Sequence, residues 1–242
     1  MKEAEAEDVD MLIEGGVLPM LAKVYEDHTD KIPEAEPVAI QPKLDGGRMI
    51  AVVDGYGKVT LWTRTRKRIK SMDHVVESLE YFAEKFGWAN ITLDGEAYHD
   101  SIHTTLETTF KVAIPEGTVE SSDKDINFEN LMSAFRKNHT TEASRKLQYH
   151  IYDCVEYSPF PVRSAWLHKI DQANDPIVKV VNTLYVTGEE AIFAQHKKNI
   201  KDGYEGSMIR LLTKEYEHKR SDELQKLKNF MDSEFKIVGW LS

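Results

Sequence analysis

Lys43 lies in a stretch whose residue types could support nucleophilic chemistry, Gln41-Pro42-Lys43-Leu44-Asp45-Gly46-Gly47-Arg48. A lysine amine attacks only when it is unprotonated, and nearby cations and partial burial lower the pKa of such an amine from its free value of about 10.4. Apolar runs at residues 38–40 and 49–53 flank the stretch, so we predict that Lys43 lies at a strand end or turn beside a sheet. Taken alone, a lysine near an Asp-Gly turn is more often a solvated hairpin residue. A nucleophilic role for Lys43 therefore needs support from other segments of the sequence.

The elements that follow this stretch would hold it in place. Residues 49–53 and 59–62 alternate as two strands around a turn at residues 54–57, which predicts a hairpin. Residues 73–86 repeat apolar side chains at spacings of about three and four, which is typical of a helix that buries one face. Gly87 then provides a helix cap.

Strands and helices are intermixed along the remaining sequence. Thr187 and Glu190 form a capping-box pair that predicts a helix toward Lys201. This order favours an α+β fold centred on antiparallel sheets flanked by helices, with a surface excursion at residues 101–124 and a polar arm at residues 1–16. Further strands are predicted at residues 90–93, 147–155, 177–186, 207–212, 224–228 and 235–240, and further helices at residues 127–137 and from Pro161.

Composition limits the classes of protein that fit. The chain has 242 residues, enough for one substantial core, and has no apolar run of the ~20 residues that cross a bilayer. A single cysteine, Cys154, excludes an intrachain disulfide and fits a reducing compartment, where we expect it to be a buried thiol. The net charge of −10 argues against a general nucleic-acid binder, but basic residues cluster locally at residues 64–70.

Four further segments carry residues suited to nucleotide chemistry, and their order along the chain is informative. Together with Lys-x-Asp-Gly-x-Arg at residues 43–48, they resemble the motifs of the covalent nucleotidyltransferases, which include ATP-dependent DNA ligases, RNA ligases and mRNA capping enzymes. In that family a lysine amine attacks the α-phosphate of a nucleotide and keeps the nucleoside monophosphate as a phosphoramidate. The four segments are Leu93-Asp94-Gly95-Glu96, Tyr149-His150-Ile151-Tyr152-Asp153, Asp202-Gly203-Tyr204-Glu205-Gly206-Ser207-Met208-Ile209-Arg210 and Leu224-Gln225-Lys226-Leu227-Lys228.

The resemblance implies a role for each motif residue. Lys43 would carry the nucleotide, Glu96 would reach its ribose and Tyr152 would stack on its purine. Lys226 and Lys228, one residue apart on a strand, would both face the phosphates and complete the catalytic set with Lys43.

The fourth motif implies a metal ligand. Glu205 would bind the catalytic Mg²⁺, because hard carboxylate oxygens suit that ion. The motif ends in Arg210, where the family usually has lysine, so the role of this last position stays open.

Three more positions are implied to contact the substrates. Gln41 would read the purine edge by accepting from the adenine N6 amine and donating to a ring nitrogen, which favours ATP over GTP. Arg48 would bind the nucleotide and add to the positive field around Lys43. Thr63-Arg64 resembles a signature whose arginine holds the 5′-phosphate at a nick, and Arg66 is a competing candidate.

The predicted function is that of an ATP-dependent DNA ligase of the phage and viral type, with ATP and Mg²⁺ as cofactors. Thr63-Arg64 and the upstream Pro19-Met20-Leu21-Ala22 favour this over the alternatives, an RNA ligase or a GTP-using mRNA capping enzyme. A binding module without catalysis is the alternative from a different class. We expect nicked double-stranded DNA as partner, no membrane association, a monomer, and a place in the cytoplasm of a bacterium or a phage-infected host.

Two segments are predicted from the position of the last motif. Residues 1–232 would form the adenylation domain. Residues 233–242, with Phe235 to Trp240 reading as a strand, would be the beginning of an OB-fold domain whose remainder is missing.

Overall fold

The computed structural model describes residues 15–100 and 128–228, which build two β-sheets, five α-helices and a short 3-10 helix at Thr29–Lys31. The strands are β1 (Leu21–Val24), β2 (Pro37–Lys43), β3 (Gly47–Val53), β4 (Val59–Thr63), β5 (Arg68–Ile69), β6 (Ile91–Tyr98), β7 (Gln148–Cys154), β8 (Val178–Val180), β9 (Leu184–Thr187), β10 (Gly206–Arg210) and β11 (Arg220–Lys228). The helices are α1 (Asp73–Phe86), α2 (Phe128–Phe135), α3 (Glu142–Arg145), α4 (Phe160–Asp171) and α5 (Glu189–Lys201).

The strands divide between a five-stranded and a six-stranded sheet. The first has the order β1-β11-β10-β2-β9 and the second β5-β4-β3-β6-β7-β8. Neighbouring strands pair antiparallel except β1 with β11 and β7 with β8, which are parallel. The α+β fold with mainly antiparallel sheets and flanking helices is therefore confirmed.

The second sheet holds the largest part of the core. Met49, Ile50 and Ala51 of its inner strand β3 are fully buried. Helix α1 packs Val75 and Leu79 of its apolar face into the same core. The predicted bounds of this helix and its cap are confirmed, since Gly87 follows with φ 66°, a left-handed conformation that costs glycine little.

Residues 177–186 were predicted to be one strand, and that prediction is wrong. The segment forms β8 and β9, which belong to different sheets: β8 pairs with β7 and β9 pairs with β2. Between them Thr183 accepts a hydrogen bond of 2.8 Å from Gln41 Nε2. Valine-rich sequence favours an extended backbone throughout, so only the tertiary pairing shows where the chain crosses from one sheet to the other.

The capping box at Thr187 is also wrong. Thr187 ends β9 opposite Pro37, so its backbone belongs to the sheet ladder and not to a helix cap. The cap of α5 is Gly188 at φ 82°, which has no side chain to accept from the first turn. The helix itself is confirmed, and it ends at Lys201.

Other predictions hold with shifted bounds or fall outside the described residues. The hairpin of β3 and β4 is confirmed, and the strand predicted at residues 90–93 extends to Tyr98. Cys154 is a buried free thiol, and burial raises its pKa to about 12. Most of the N-terminal arm, the whole excursion at residues 101–124 and the strand at residues 235–240 lie outside the described residues. Across residues 15–100 and 128–228, no helix combines the length and apolar character needed to span a membrane.

Candidate active site

A cavity of about 720 Å³ is lined by side chains from both sheets. Most of the residues predicted to bind nucleotide, metal or substrate line it, except Glu205 and Lys228, and the other charged lining residues are all basic. The predicted residues in its lining are Gln41, Lys43, Arg48, Arg64, Glu96, Tyr152 and Lys226. The further basic lining residues are Arg136, Arg210 and Arg220.

Strand pairing in the first sheet places the lysines. Lys43 is the last residue of β2, as predicted, and lies opposite Gly206 of β10, which in turn lies opposite Lys228 of β11. Residues directly opposite one another in a sheet point to the same face, so Lys43 and Lys228 share one face. Gln41 and Lys226 flank Met208 in the same way, which confirms that Lys226 and Lys228 lie on one strand with the same orientation.

Glu205 is brought to Lys43 by the glycine that follows it. A Cβ on Gly206 would lie 2.3 Å from the Leu227 carbonyl oxygen, so only glycine lets β10 approach β11 here. Glu205 pairs through one oxygen with Lys43 Nζ and through the other with Lys228 Nζ, at 2.6 Å. Burial alone would raise the pKa of Glu205, but the hydrogen bonds from the two lysines hold it below its ordinary value. An ion pair needs a protonated amine, so Lys43 has no free lone pair while it is paired with Glu205 in this way.

Arg48 is held by a buried carboxylate, which the sequence interpretation did not anticipate. Its Nε donates to Asp94 Oδ1 at 2.9 Å and its terminal nitrogen to Asp94 Oδ2 at 2.5 Å. Asp94 is fully buried and also accepts from the Tyr216 hydroxyl at 2.6 Å. Arg48 still lines the cavity, but Asp94 balances its charge. It therefore adds less to the positive field around Lys43 than predicted.

Tyr152 lines the cavity because alternation along β7 places it on the same face as His150, which lies opposite Glu96. Asp94 lies opposite Asp153 and Gly95 lies opposite Ile151, so Tyr152 is the extra residue of a β-bulge and has no partner across this ladder. The Tyr152 hydroxyl donates to Glu96 Oε2 at 3.3 Å, which brings together the residues assigned to purine and ribose.

Glu96 is a carboxyl group with an unusual proton affinity. Burial raises its pKa to about 7, although Arg48 and Lys43 oppose the shift. A carboxyl with that pKa is about half protonated at neutral pH, so it can donate to or accept from a ligand hydroxyl.

The raised pKa of Glu96 predicts a specific dependence of stability on pH. The native state binds more protons than the unfolded chain between the ordinary value of 4.5 and about 7, so this group lowers the free energy of unfolding as pH rises through that window. Glu96→Gln is expected to remove this decline. Urea unfolding at several pH values from about 4 to about 8 would measure it, with exposed Glu34→Gln as control. An unchanged slope in Glu96→Gln would contradict the assignment.

The amide of Gln41 is fully engaged inside the protein. Its Nε2 donates to the Tyr152 carbonyl at 3.1 Å and to Thr183 Oγ1 at 2.8 Å, and its Oε1 accepts from Arg210 Nε at 2.9 Å. Both amide hydrogens are therefore used, and donation to a purine ring nitrogen would require a rearrangement. One lone pair on Oε1 remains for an exocyclic amine, which is compatible with the acceptor part of the predicted role.

Arg210, which stands where the family usually has lysine, contacts both Gln41 and Tyr152. It is buried and donates to Asp153 Oδ2 at 2.6 Å, while Arg163 Nε donates to Asp153 Oδ1 at 2.7 Å. The Arg210 guanidinium also lies 5.7 Å from the centre of the Tyr152 ring. Gln41, where the family more often has glutamate, and Arg210 thus contact each other directly. Sequence alone shows the two differences but not the contact.

The structure separates the two candidates in the basic turn after β4. Arg64 is exposed and lines the cavity, whereas Arg66 does not belong to its lining. Arg66 has φ 64° and donates from Nε to the Gly15 carbonyl at 3.3 Å. Position therefore favours Arg64 over Arg66. Arg136 and Arg220 line the same cavity. Arg136 is indicated in the sequence only by its basic character, whereas Lys219-Arg220-Ser221 belongs to the segment that resembles the fifth motif.

Comparison with known proteins identifies relatives of this fold. The family model described as "ATP dependent DNA ligase domain" matches residues 19–228. A DNA ligase of African swine fever virus (isolate Pig/Kenya/KEN-50/1950) is 24% identical over 254 residues, covering 93% of this chain and 50% of that protein. The DNA ligase of Enterobacteria phage T4 is 25% identical over 253 residues, covering 93% and 52%. The chain thus spans about half the length of the curated relatives it matches.

Solved structures share the fold at low identity. A Chlorella virus DNA ligase-adenylate structure has a TM-score of 0.60 and 20% identity, with 88% of this chain and 67% of that chain covered. The bacteriophage T7 ATP-dependent DNA ligase in complex with ATP has a TM-score of 0.61 and 13% identity, with 88% and 68% covered.

Proposed function

This chain belongs to the family of ATP-dependent DNA ligase domains, and we propose that it forms a covalent lysyl-AMP on Lys43 and transfers the AMP to the 5′-phosphate of a DNA nick. The observation that carries the proposal is the position of Lys43. It ends β2 in the lining of a large, mainly basic cavity, with Lys228 on the same sheet face and Glu205 between them. Such a site accepts a polyphosphate and offers an amine to it.

The first step is attack of Lys43 Nζ on the α-phosphorus of ATP. The Nζ ammonium first loses a proton to water. The N–P bond then forms as the bond to pyrophosphate breaks, and the proton lost by the attacking amine also passes to water. Glu205 must release Lys43 for this, because an ion-paired ammonium has no lone pair to donate. Lys226 and Lys228 then stabilise the charge that develops on the phosphate oxygens in the transition state.

The later steps return the lysine to its starting state. An oxygen of the nick 5′-phosphate attacks the phosphorus of lysyl-AMP, and the Lys43 amine leaves. The 3′-hydroxyl then attacks the activated 5′-phosphate, the phosphodiester forms and AMP departs. Arg64 would hold the 5′-phosphate in both steps, since a planar guanidinium can bind two phosphate oxygens at once.

The donor groups around Lys43 fit Mg²⁺ only in combination with phosphate oxygens. Within the described ranges no cluster of three His, Cys, Asp or Glu residues could hold a metal. Burial and then the charge of the Glu205 carboxylate raise the pKa of Asp45, while Lys43 and Lys228 oppose the shift, so a bound cation would favour the ionised form of Asp45. Mg²⁺ is often held by one or two carboxylates plus substrate phosphates, and when bound it would neutralise phosphate charge.

The proposal includes the wider organisation of the protein. The proposed adenylation domain, residues 1–232, includes both described ranges, residues 15–100 and 128–228, and the proposed OB-fold segment at residues 233–242 lies outside them. The enzyme acts on nicked double-stranded DNA as a monomer in the cytoplasm of a bacterium or a phage-infected host. The family description and the names of the viral and phage relatives support DNA as the substrate.

RNA ligase and mRNA capping activity are the competing functions, and a binding module is the non-enzymatic one. Incubation with labelled ATP or GTP and Mg²⁺, followed by denaturing electrophoresis, separates them. Covalent AMP on the protein supports a ligase, covalent GMP a capping enzyme, and no covalent label a binding module. Transfer of AMP to nicked DNA rather than to RNA ends then identifies the substrate.

Arg64→Ala is expected to spare AMP attachment to Lys43 and to slow AMP transfer to the nick by roughly tenfold or more, since one charge-assisted phosphate contact is lost. Separate single-turnover assays of the two steps measure this. Lys67→Ala is the matched control, because Lys67 is exposed in the same turn but does not line the cavity. Equal losses in both steps would place Arg64 in the nucleotide site instead.

A further inference from the structure

We infer that Arg136, which follows helix α2, binds a phosphodiester of the nicked duplex beside the 5′-phosphate that Arg64 holds. The inference rests on the proposed function, because it assumes that the cavity receives a DNA end. Arg136 is exposed and lines the same cavity as Lys43 and Arg64.

The end of α2 is anchored, so the position of Arg136 is set by the core. The Ser71 hydroxyl donates to the Phe135 carbonyl at 2.6 Å in a buried contact. The Phe135 ring is buried and occupies the space where a Cβ on Gly47 would lie, 2.7 Å from the ring. Gly47 begins β3, four residues after Lys43. Helix α2 therefore ends directly against the segment that carries the nucleophile.

Arg64 reaches the same region from a different element. Thr63 lies opposite Met49 in the β3–β4 pairing, and Arg64 follows Thr63 at the end of β4. The beginning of β3 is thus bordered by Arg64 from the β4 side and by Arg136 from α2. Two arginines at one end of the cavity suit two successive phosphates of a strand.

The charge of Arg136 has no salt-bridge partner among residues 15–100 and 128–228. Arg48 and Arg210 line the cavity but are paired with Asp94 and Asp153. No acidic side chain of the described residues forms a salt bridge with Arg136. Its guanidinium donors are therefore available to a ligand that enters the cavity.

The location favours a duplex phosphate over the phosphates of ATP. The α-phosphate must reach Lys43, whose neighbours Glu205 and Lys228 belong to the first sheet. Arg136 follows a helix anchored on the second sheet side, at the exposed border of the cavity. A strand that enters past Arg64 passes this border, whereas a nucleotide bound at Lys43 and Tyr152 lies deeper.

The test compares Arg136→Ala with Lys137→Ala on the complete chain. Lys137 is the adjacent residue, equally charged and exposed, but it does not line the cavity. Affinity for a labelled nicked duplex is measured between about 50 and about 200 mM salt. Arg136→Ala is expected to weaken binding roughly fivefold and to reduce the salt slope by about 0.9, the loss of one phosphate contact. Arg136→Lys should restore the salt slope, because it keeps the charge.

Labelling of Lys43 with AMP is measured in the same variants, so that the role of Arg136 and the proposed function are tested separately. Normal labelling with an unchanged salt slope in Arg136→Ala, or a slope equally reduced in Lys137→Ala, overturns the role of Arg136 and leaves the proposed function standing. Slower labelling in Arg136→Ala would show that Arg136 contacts the nucleotide, which also overturns its proposed role in binding the duplex. A wild-type chain that takes no AMP label overturns the proposed function itself.

Discussion

Lys43→Arg is expected to abolish covalent AMP attachment, with a loss on the order of 10⁶ in rate, as when other enzymes lose a covalent nucleophile. Arginine keeps the positive charge beside Glu205 and can preserve that ion pair, but its guanidinium stays protonated and cannot attack phosphorus. The substitution therefore removes the nucleophile and leaves the electrostatics of the pocket nearly intact.

Mass spectrometry of a tryptic digest after incubation with ATP and Mg²⁺ gives the decisive measurement. The AMP-modified peptide should contain Lys43. Lys58→Arg is a suitable control, since Lys58 is exposed and pairs only with Glu80 at 3.2 Å among the described residues. AMP on any residue other than Lys43, or GMP incorporated in preference to AMP, would overturn the assignment.

Asp153→Asn is expected to reduce the free energy of unfolding by about 3–5 kcal/mol, because it leaves two buried guanidinium groups without their common carboxylate. Asp153 is fully buried between Arg163 and Arg210, with contacts of 2.7 and 2.6 Å. An asparagine of the same shape can accept only one of these contacts and presents N–H groups to a cation. The loss is a large part of the ~5–15 kcal/mol that stabilises a typical domain.

Urea unfolding of wild type and variant measures this difference, with Glu80→Gln as control. The Lys58–Glu80 pair is largely exposed on its lysine side, and breaking such a pair costs about 0–1 kcal/mol. A change below about 1 kcal/mol in Asp153→Asn would show that water or rearrangement compensates the two arginines. Because Arg210 also holds Gln41, the variant should weaken ATP binding as well.

Local patterns predicted the elements whose signals lie within one stretch of chain. Helix α1 and its glycine cap follow from apolar spacing and from the one residue type that adopts a left-handed backbone at low cost. The strand-end position of Lys43 follows from the apolar runs beside it. Thr187 is not a helix cap, because its backbone pairs with Pro37 in the sheet. The local sequence pattern does not show this pairing.

The sequence by itself determined the α+β class, the family motifs and the residue types gathered in the cavity. Only the tertiary structure decided how their charges pair: Lys43 with Glu205, 162 positions away, Arg48 with Asp94, and Gln41 with Arg210, 169 positions away. The contact of Tyr152 with Glu96 likewise depends on the pairing of β7 with β6. These contacts depend on which strands lie side by side and in which register. The spacing of residues within one segment does not predict strand neighbours or register, because the hydrogen bonds that fix them join distant parts of the chain.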